Sequence, residues 1–188
     1  MIIIGITGTI GAGKGTIVDY IVNKKGFSHY SVRAFITEEI NKLGLPVNRD
    51  SMVSVANDLR AKHSPSYIAE QLFEQAGKSG NNCVIESLRS PGEVEALKNK
   101  GNFFLFAVDA PAKIRYKRIL QRQSETDNIS FETFLENEKR EMQSSDPNKQ
   151  NISKCIEMAD YFFENDENIE DLQEKIDTVI NNILKENR

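Results

Sequence analysis

Short apolar runs alternate along the chain with segments in which apolar residues recur every three or four positions. A short apolar run favours a buried strand, and spacing by three or four favours an amphipathic helix. Strands and helices that alternate in this way are typical of an α/β fold with a mainly parallel sheet. The five predicted strands cover residues 2–7, 28–31, 83–86, 103–108 and 161–163.

The first predicted strand runs directly into the sequence Gly-Thr-Ile-Gly-Ala-Gly-Lys-Gly-Thr at residues 8–16, and helical spacing follows. A strand, a G-x-x-x-x-G-K loop and a helix in that order form a phosphate-binding P-loop. The loop N–H groups and the helix N-terminus attract a polyphosphate, and the lysine reaches the β- and γ-phosphates. The sequence therefore predicts an ATP site formed by Gly8, Gly11, Ala12, Gly13, Lys14, Gly15 and Thr16.

Several polar residues mark where helices are expected to begin. Asp50 and Ser51 precede a helical stripe as candidate caps. Ser64 and Pro65 predict the start of another helix, because proline is favoured in the first turn. Residues 90–93 read Ser-Pro-Gly-Glu, which is a capping box. A long apolar stripe on the last helix indicates core packing.

The composition is that of an ordinary globular protein. The 188 residues, of which 39% are hydrophobic and 28% charged, predict a single domain over residues 1–188. A net charge of −4 argues against a nucleic-acid-binding protein, which needs a strongly basic face. The sequence shows neither a signal peptide nor a membrane-spanning run, which predicts a cytoplasmic protein. Cys83 and Cys155 lack metal-ligand spacing, and Cys83 is expected to be a buried, reduced thiol.

Two acidic residues end predicted strands. Glu86 ends the strand at residues 83–86, and Asp109 follows the strand at residues 103–108. Ligands of open α/β sheets bind at the carboxyl ends of strands, so Glu86 is expected to face the phosphates and to hold Mg²⁺, directly or through water. Asp109 has the equivalent place on its strand, and a role as a helix cap explains it equally well.

Arginines cluster near the same predicted edge. Arg89 lies between Glu86 and the capping box, where a guanidinium can bind two oxygens of an acceptor phosphate. Arg115, Arg118 and Arg122 fall at i, i+3 and i+7 on one predicted helix and share a face. A solvated basic face is the common explanation. Because phosphoryl transfer depends on neutralising charge, we predict catalytic roles for Arg118 and Arg122.

Two stretches outside the sheet are predicted to close over the ligands. The connection between the second and third strands is longer than one crossover needs, so about residues 32–80 are expected to form a helical acceptor-binding region, by analogy with other P-loop enzymes. Residues 123–129 are polar, and about residues 119–142 are expected to form a short lid that excludes water.

Three further polar residues have no assigned chemistry. Arg140, on the predicted lid, is explained as well by a pair with Glu136 as by a phosphate contact. His29 and His63 have no partners with a catalytic pattern, and we predict that both are structural or surface residues.

Together these features resemble the nucleoside-monophosphate-kinase-like branch of P-loop kinases, which includes adenylate kinases and dephospho-CoA kinases, over nearly the whole chain. Residues 13–16 look like the adenylate-kinase form of the loop, and residues 86–90 resemble the acid-x-x-x-Arg-Thr acceptor motif, one residue shorter. The resemblance implies that Arg33 and Arg89 hold the acceptor phosphate. It also implies that the arginine pair at 118 and 122 stabilises transition-state charge.

Other segments look more like dephospho-CoA kinase, namely residues 5–11 and residues 159–165, the second of which neighbours the adenine of ATP in that family. Two departures stand out. Residues 31–33 read Ser-Val-Arg where dephospho-CoA kinases carry an acidic D-x-D pair. Gly15 stands where most P-loops place the Mg²⁺-binding Ser or Thr, so either Thr16 substitutes or water carries the metal contact.

We therefore predict a three-layer P-loop NTPase fold and a kinase that uses ATP and Mg²⁺. Its expected acceptor is a small phosphorylated molecule, a nucleoside or deoxynucleoside monophosphate, which needs no general base. If the acceptor is a hydroxyl, as in dephospho-CoA kinase, Glu86 or Asp109 is the candidate base. Two other functions remain open from the sequence: an ATP-sensing module that transfers nothing, and a slow ATPase.

Overall fold

A five-stranded, all-parallel sheet forms the centre of the protein in the computed structural model, which describes residues 1–122 and 129–187. The strands are β1 (Ile3–Gly8), β2 (Ser28–Ser31), β3 (Cys83–Glu86), β4 (Phe103–Asp109) and β5 (Tyr161–Glu164). Their order across the sheet is β2-β3-β1-β4-β5. All five predicted strands are present, and every pairing is parallel.

Helices connect the strands and cover both faces of the sheet. In the described part of the chain they are α1 (Lys14–Lys25), α2 (Val32–Lys42), α3 (Arg49–Lys62), α4 (Tyr67–Ser79), α5 (Pro91–Lys98), α6 (Ala112–Gln121), α7 (Phe131–Met142), α8 (Ile152–Glu157) and α9 (Ile169–Glu186). The helices α2 to α4 lie between β2 and β3, where a helical insertion is predicted. None of the helices described is long and apolar enough to cross a membrane.

Two apolar cores lie on opposite faces of the sheet and give the predicted three layers. Successive side chains of a strand point to opposite faces, so Ile4 packs with Ile17 of α1 and Ile176 of α9, whereas Ile3 packs with Ile36 of α2 and Leu72 of α4. Both faces of β1 are therefore buried, which explains its continuous apolar sequence. This central position also fixes the place of the loop that follows β1.

Local capping signals determine where several helices begin. The Ser90 hydroxyl accepts a hydrogen bond from the Glu93 N–H, and the Glu93 carboxylate accepts one from the Ser90 N–H, so the predicted capping box of α5 is confirmed. Ser130 caps α7 through the Thr133 N–H. These caps fix the starts of two helices that bring charged side chains to the site.

Two predicted helix starts are wrong. The start of α4 is at Tyr67, because residues 65 and 66 form a turn closed by the Tyr67 N–H and the Ser64 carbonyl oxygen. The N-cap of α3 is Asn48, and Ser51 completes its capping box from the first turn. The helices themselves are present, and the apolar stripe predicted for α3 is confirmed, but the residues at which the two helices begin are not those predicted.

Both cysteines are free and buried, as predicted for Cys83. Burial raises the pKa of Cys83 to about 11 and that of Cys155 to about 12. These thiols are therefore protonated at neutral pH and act as small apolar core residues.

Candidate functional site

Three glycines of the loop between β1 and α1 have positive φ angles, and two of them lie against the backbone of neighbouring elements. Gly8 has φ 138° and Gly11 has φ 77°. A Cβ atom would lie 2.1 Å from the Val108 carbonyl oxygen at Gly8 and 2.5 Å from the Arg115 carbonyl oxygen at Gly11. Close packing against β4 and α6 thus fixes the loop in place, in the shape that a phosphate cradle needs.

Lys14 begins α1 and turns back over the loop. Its ammonium group donates hydrogen bonds to the carbonyl oxygens of Gly8 and Thr9, at 2.8 and 2.7 Å. Burial, and next the nearby charge of Arg89, lower the pKa of Lys14 to about 7. A cation held in this way lacks sufficient negative charge around it, and a bound polyphosphate would supply that charge.

The outer side of the loop is tied to neighbouring elements. Asp109, at the end of β4, accepts hydrogen bonds from the Thr9 hydroxyl at 2.5 Å and from the Ala110 N–H at 2.8 Å. The Asn165 amide donates to the Ala12 carbonyl oxygen at 2.7 Å. Asp109 does not cap α6, whose N-cap is Pro111. Its carboxylate instead holds the loop to the sheet.

Arg115 has a similar structural role. Its guanidinium donates to the carbonyl oxygens of Ile10 and Ala110, pairs with Glu138 of α7 and lies over the Phe134 ring. Only 4% of the residue is exposed. Of the three arginines predicted to share a face of α6, this one is buried beneath the loop.

A cavity of about 410 Å³ opens beside the loop and brings together most of the predicted site residues. It is lined by the loop residues Gly11, Gly13, Lys14, Gly15 and Thr16 and by the predicted site residues Arg33, Glu86, Arg89 and Arg122. Gly8 and Ala12 belong to the loop but are not part of this lining. The residues that line it come from α1, α2, α3, β3 and the loop after it, the end of α6, and α7, which are widely separated in the sequence.

Glu86 lies at the carboxyl end of β3 and faces the cavity. Its carboxylate accepts a hydrogen bond from the Ser31 hydroxyl at 2.7 Å, and the Nε2 atom of His29 lies 3.7 Å away. Burial alone would raise the pKa of Glu86, but the contacts with His29 and Ser31 hold it below its usual value. Glu86 is therefore ionised at neutral pH. His29, which the sequence indicated as structural or surface, borders this carboxylate.

A buried carboxylate of α7 joins two arginines at the cavity. One oxygen of Glu141 lies 2.5 Å from Arg49 Nη2, and the other lies 2.6 Å from Arg89 Nη1. Arg89 also donates to Gln150 at 3.2 Å. Only 3% of the Glu141 side chain is exposed, so this cluster holds α7 against α3 and against the loop after β3.

A second buried ion pair lies behind the first. Arg60 donates to one carboxylate oxygen of Glu93 from Nε at 3.1 Å and from Nη2 at 2.7 Å. The other oxygen of Glu93 accepts from the N–H groups of Arg89 and Ser90. Glu93 thus fixes the backbone that carries Arg89, and Arg60 neutralises Glu93.

The predicted lid residues lie in different places. Arg122 is the C-cap of α6 and lines the cavity. Arg118 is directed elsewhere, and its guanidinium donates to the Asn165 carbonyl oxygen at 2.9 Å. Arg140 pairs with Asp50 at 3.1 Å, so the explanation by Glu136 is wrong. Residues 123–128 of the predicted lid lie outside the described residues.

Three residues that line the cavity escaped the sequence reasoning: Arg49, Arg60 and Glu141. The apolar stripe of α3 offered a signal for the first two, because residues 49, 52, 53, 56 and 60 share one helix face. Glu141 offered none, since it contacts Arg49 across 92 positions of the chain.

Comparison with known proteins shows which family the chain matches. Residues 4–146 match a family described as an AAA domain. A UPF0200 protein of Methanococcus maripaludis is 30% identical, over 98% of this chain and 99% of its own length. A UPF0200 protein of Sulfurisphaera tokodaii is 28% identical, over 97% of both chains.

Solved structures with the same fold include small kinases. Dephospho-CoA kinase from Campylobacter jejuni superposes with a TM-score of 0.57 at 18% identity, over 99% of this chain and 98% of that one. Shikimate kinase from Aquifex aeolicus gives a TM-score of 0.52 at 15% identity, over 96% and 97%. These similarities establish the P-loop kinase fold.

Proposed function

The chain belongs to the AAA-domain family of P-loop kinases and to the UPF0200 proteins, and from that premise we propose that it is an ATP-dependent phosphotransferase. The γ-phosphate of ATP passes to a small phosphorylated acceptor, a nucleoside or deoxynucleoside monophosphate. Residues 1–188 act as one kinase domain, with an acceptor-binding region at about residues 32–80 and a lid at about residues 119–142.

The charge of the cavity carries this proposal. Six cationic side chains line it, against three carboxylates, in a protein of net charge −4: Lys14, Arg33, Arg49, Arg60, Arg89 and Arg122 against Asp19, Glu86 and Glu141. Arg60 is neutralised by Glu93 behind the wall, which leaves five cations against three carboxylates. A site for one triphosphate alone would need fewer cations spread over fewer elements. Two phosphorylated ligands that meet in one cavity account for the excess.

The donor end of the site is the loop. Its N–H groups and Lys14 hold the β- and γ-phosphates of ATP, since the partial positive charge of the α1 N-terminus adds to that of the ammonium group. Asn165 and Arg118 support the loop from the β5 side, where the ATP base is expected by resemblance to dephospho-CoA kinases.

The residues present fit a magnesium ion bound with ATP. The Thr16 hydroxyl and the ionised Glu86 carboxylate both line the cavity, and Mg²⁺ in kinases takes few protein ligands and several waters. No group of three or more metal-ligating side chains occurs in residues 1–122 and 129–187, which suits an ion that arrives with its nucleotide. Bound there, Mg²⁺ would neutralise charge on the β- and γ-phosphates.

The acceptor end lies between α2, α3 and the loop after β3. Arg33 and Arg89 line the cavity there and hold the acceptor phosphate, and Arg49 lies beside Arg89 through Glu141. Arg122, at the end of α6, neutralises the charge of the transferring phosphoryl group. Arg118 does the same after it leaves the Asn165 carbonyl oxygen and binds phosphate instead. A phosphate acceptor is already an anion, so the transfer needs no general base.

An assay of ADP release from Mg·ATP tests this function. The acceptor panel contains each ribo- and deoxyribonucleoside monophosphate, dephospho-CoA, shikimate and buffer alone. Strong stimulation by one nucleoside monophosphate, with the diphosphate product identified by mass, is the expected result. Stimulation by dephospho-CoA or shikimate only would mean that the acceptor is a hydroxyl, and Glu86 would then act as its general base. ATP binding without any acceptor effect would contradict phosphotransfer.

A further inference from the structure

Part of the cavity wall is apolar, although the rest is strongly charged. Val32 and Ile36 of α2 and Met52, Val53 and Ala56 of α3 line it, and we call these five residues the apolar slot. Contact with an apolar surface does not stabilise a charged group. A flat ring that packs against it is stabilised, because both surfaces are removed from water. The slot therefore fits the uncharged part of an acceptor whose phosphate is held by the arginines.

Arg60 lies on the same face of α3 as the slot residues and also lines the cavity. It is 1% exposed. Its Nε and Nη2 atoms are fixed by Glu93, but Nη1 is buried and has no hydrogen-bond partner within the described residues. A buried donor without a partner is destabilising, and an incoming acceptor atom would satisfy it.

We propose that the apolar slot and Arg60 bind a nucleobase that presents a keto oxygen on the ring edge remote from the sugar. This inference rests on the proposed function, in which the acceptor is a nucleoside monophosphate. The guanidinium can only donate, so its partner must carry a lone pair. Guanine, hypoxanthine, uracil and thymine present a keto oxygen at that edge.

A base with an amino group at that edge would bind more weakly. The group would need an acceptor near Arg60, and the nearest carboxylate, that of Glu93, is already occupied at both oxygens by Arg60, Arg89 and Ser90. Adenine and cytosine would bring a second donor towards Arg60 Nη1. Arg60 therefore determines which bases the slot accepts.

The test removes the keto oxygen from the ligand, because replacing Arg60 would leave Glu93 buried without a cation. Binding of inosine 5′-monophosphate is compared by calorimetry with that of purine riboside 5′-monophosphate, which lacks only the keto oxygen and its ring proton. Uridine and zebularine 5′-monophosphates form the matching pyrimidine pair. The expected loss of affinity on removing the oxygen is about 10- to 100-fold in the pair that fits the slot.

A pair of protein variants tests whether the base binds in the apolar slot. Val53→Phe fills the slot and should weaken binding of the preferred monophosphate by about tenfold or more, with ATP affinity unchanged. Ser54→Phe adds the same ring to the exposed neighbour and should leave both affinities unchanged.

Binding and Mg·ATP turnover are measured on the same ligands, which separates this inference from the proposed function. Tighter binding of the keto-bearing monophosphates supports the inference whether or not turnover follows. If these ligands bind but no turnover is seen, that result counts against phosphotransfer alone. Equal binding with and without the keto oxygen, alongside acceptor-dependent turnover, would overturn the inference and leave the kinase intact. Failure of every monophosphate to bind would overturn both.

Discussion

Lys14 bonds to two carbonyl oxygens of its own loop, and these are weak partners for a full positive charge. In the proposed reaction the same ammonium group holds the phosphates as charge develops between them. Lys14→Ala should lower kcat by about 100-fold or more, the usual effect of removing such an electrostatic contact. Lys24→Ala, exposed near the end of the same helix, is the control and should leave kcat unchanged. Near-full turnover by the Lys14 variant would contradict its role.

The lowered pKa of Lys14 gives a second prediction at this scale. With a pKa of about 7 in the free protein, Lys14 is mostly neutral at pH 8. Phosphates favour its charged form, so Mg·ATP binding at pH 8 should take up a proton, and affinity should fall as the pH rises above 7. Calorimetry in two buffers of different ionisation enthalpy measures this uptake. Lys14→Met should abolish it, and equal uptake by the two proteins would exclude Lys14 as its source.

At the scale of elements, α7 is held to the cavity by Glu141, the carboxylate between Arg49 and Arg89. An acceptor phosphate that reaches Arg89 meets this negative charge. Glu141→Gln should therefore lower the acceptor KM by about tenfold, since it removes repulsion inside a partly desolvated site. It should also lower the melting temperature, because two partly buried arginines lose their ionic partner.

Glu138→Gln is the matched control for this variant. Glu138 pairs with Arg115 from the same helix but does not line the cavity. The Glu138→Gln variant should be less stable than the unmodified protein but should have the same acceptor KM. An unchanged KM in Glu141→Gln would show that the acceptor does not approach Arg89.

The elements themselves were largely predictable, because each depends on a local pattern. The strands β2 and β3 have the predicted ends, and the predicted capping box at Ser90 is present. The Glu141 cluster was not predictable, since the elements that build it come together only when the sheet forms. Arg118 illustrates the same limit, because its contact with Asn165 depends on where β5 ends and not on the pattern of its own helix.

At the scale of the whole molecule, parallel strands bring the loop after β1, Glu86 and the Arg89 segment to one edge of the sheet. Helices inserted between β2 and β3 then cover that edge and add the apolar slot to a cavity whose charged side chains are mostly cationic. Solved kinases named for different substrates share this fold, so in the proposed function the inserted helices, rather than the fold, determine the acceptor.

Transfer of a labelled γ-phosphate tests the central claim most directly. The protein is mixed in single-turnover conditions with Mg²⁺, γ-labelled ATP and a nucleoside monophosphate, and the products are separated by chromatography. The structure predicts that the label appears in the nucleoside diphosphate, at a rate that Lys14→Ala reduces. Label found only in inorganic phosphate, or retained on ATP with every monophosphate, would contradict the proposed phosphotransfer.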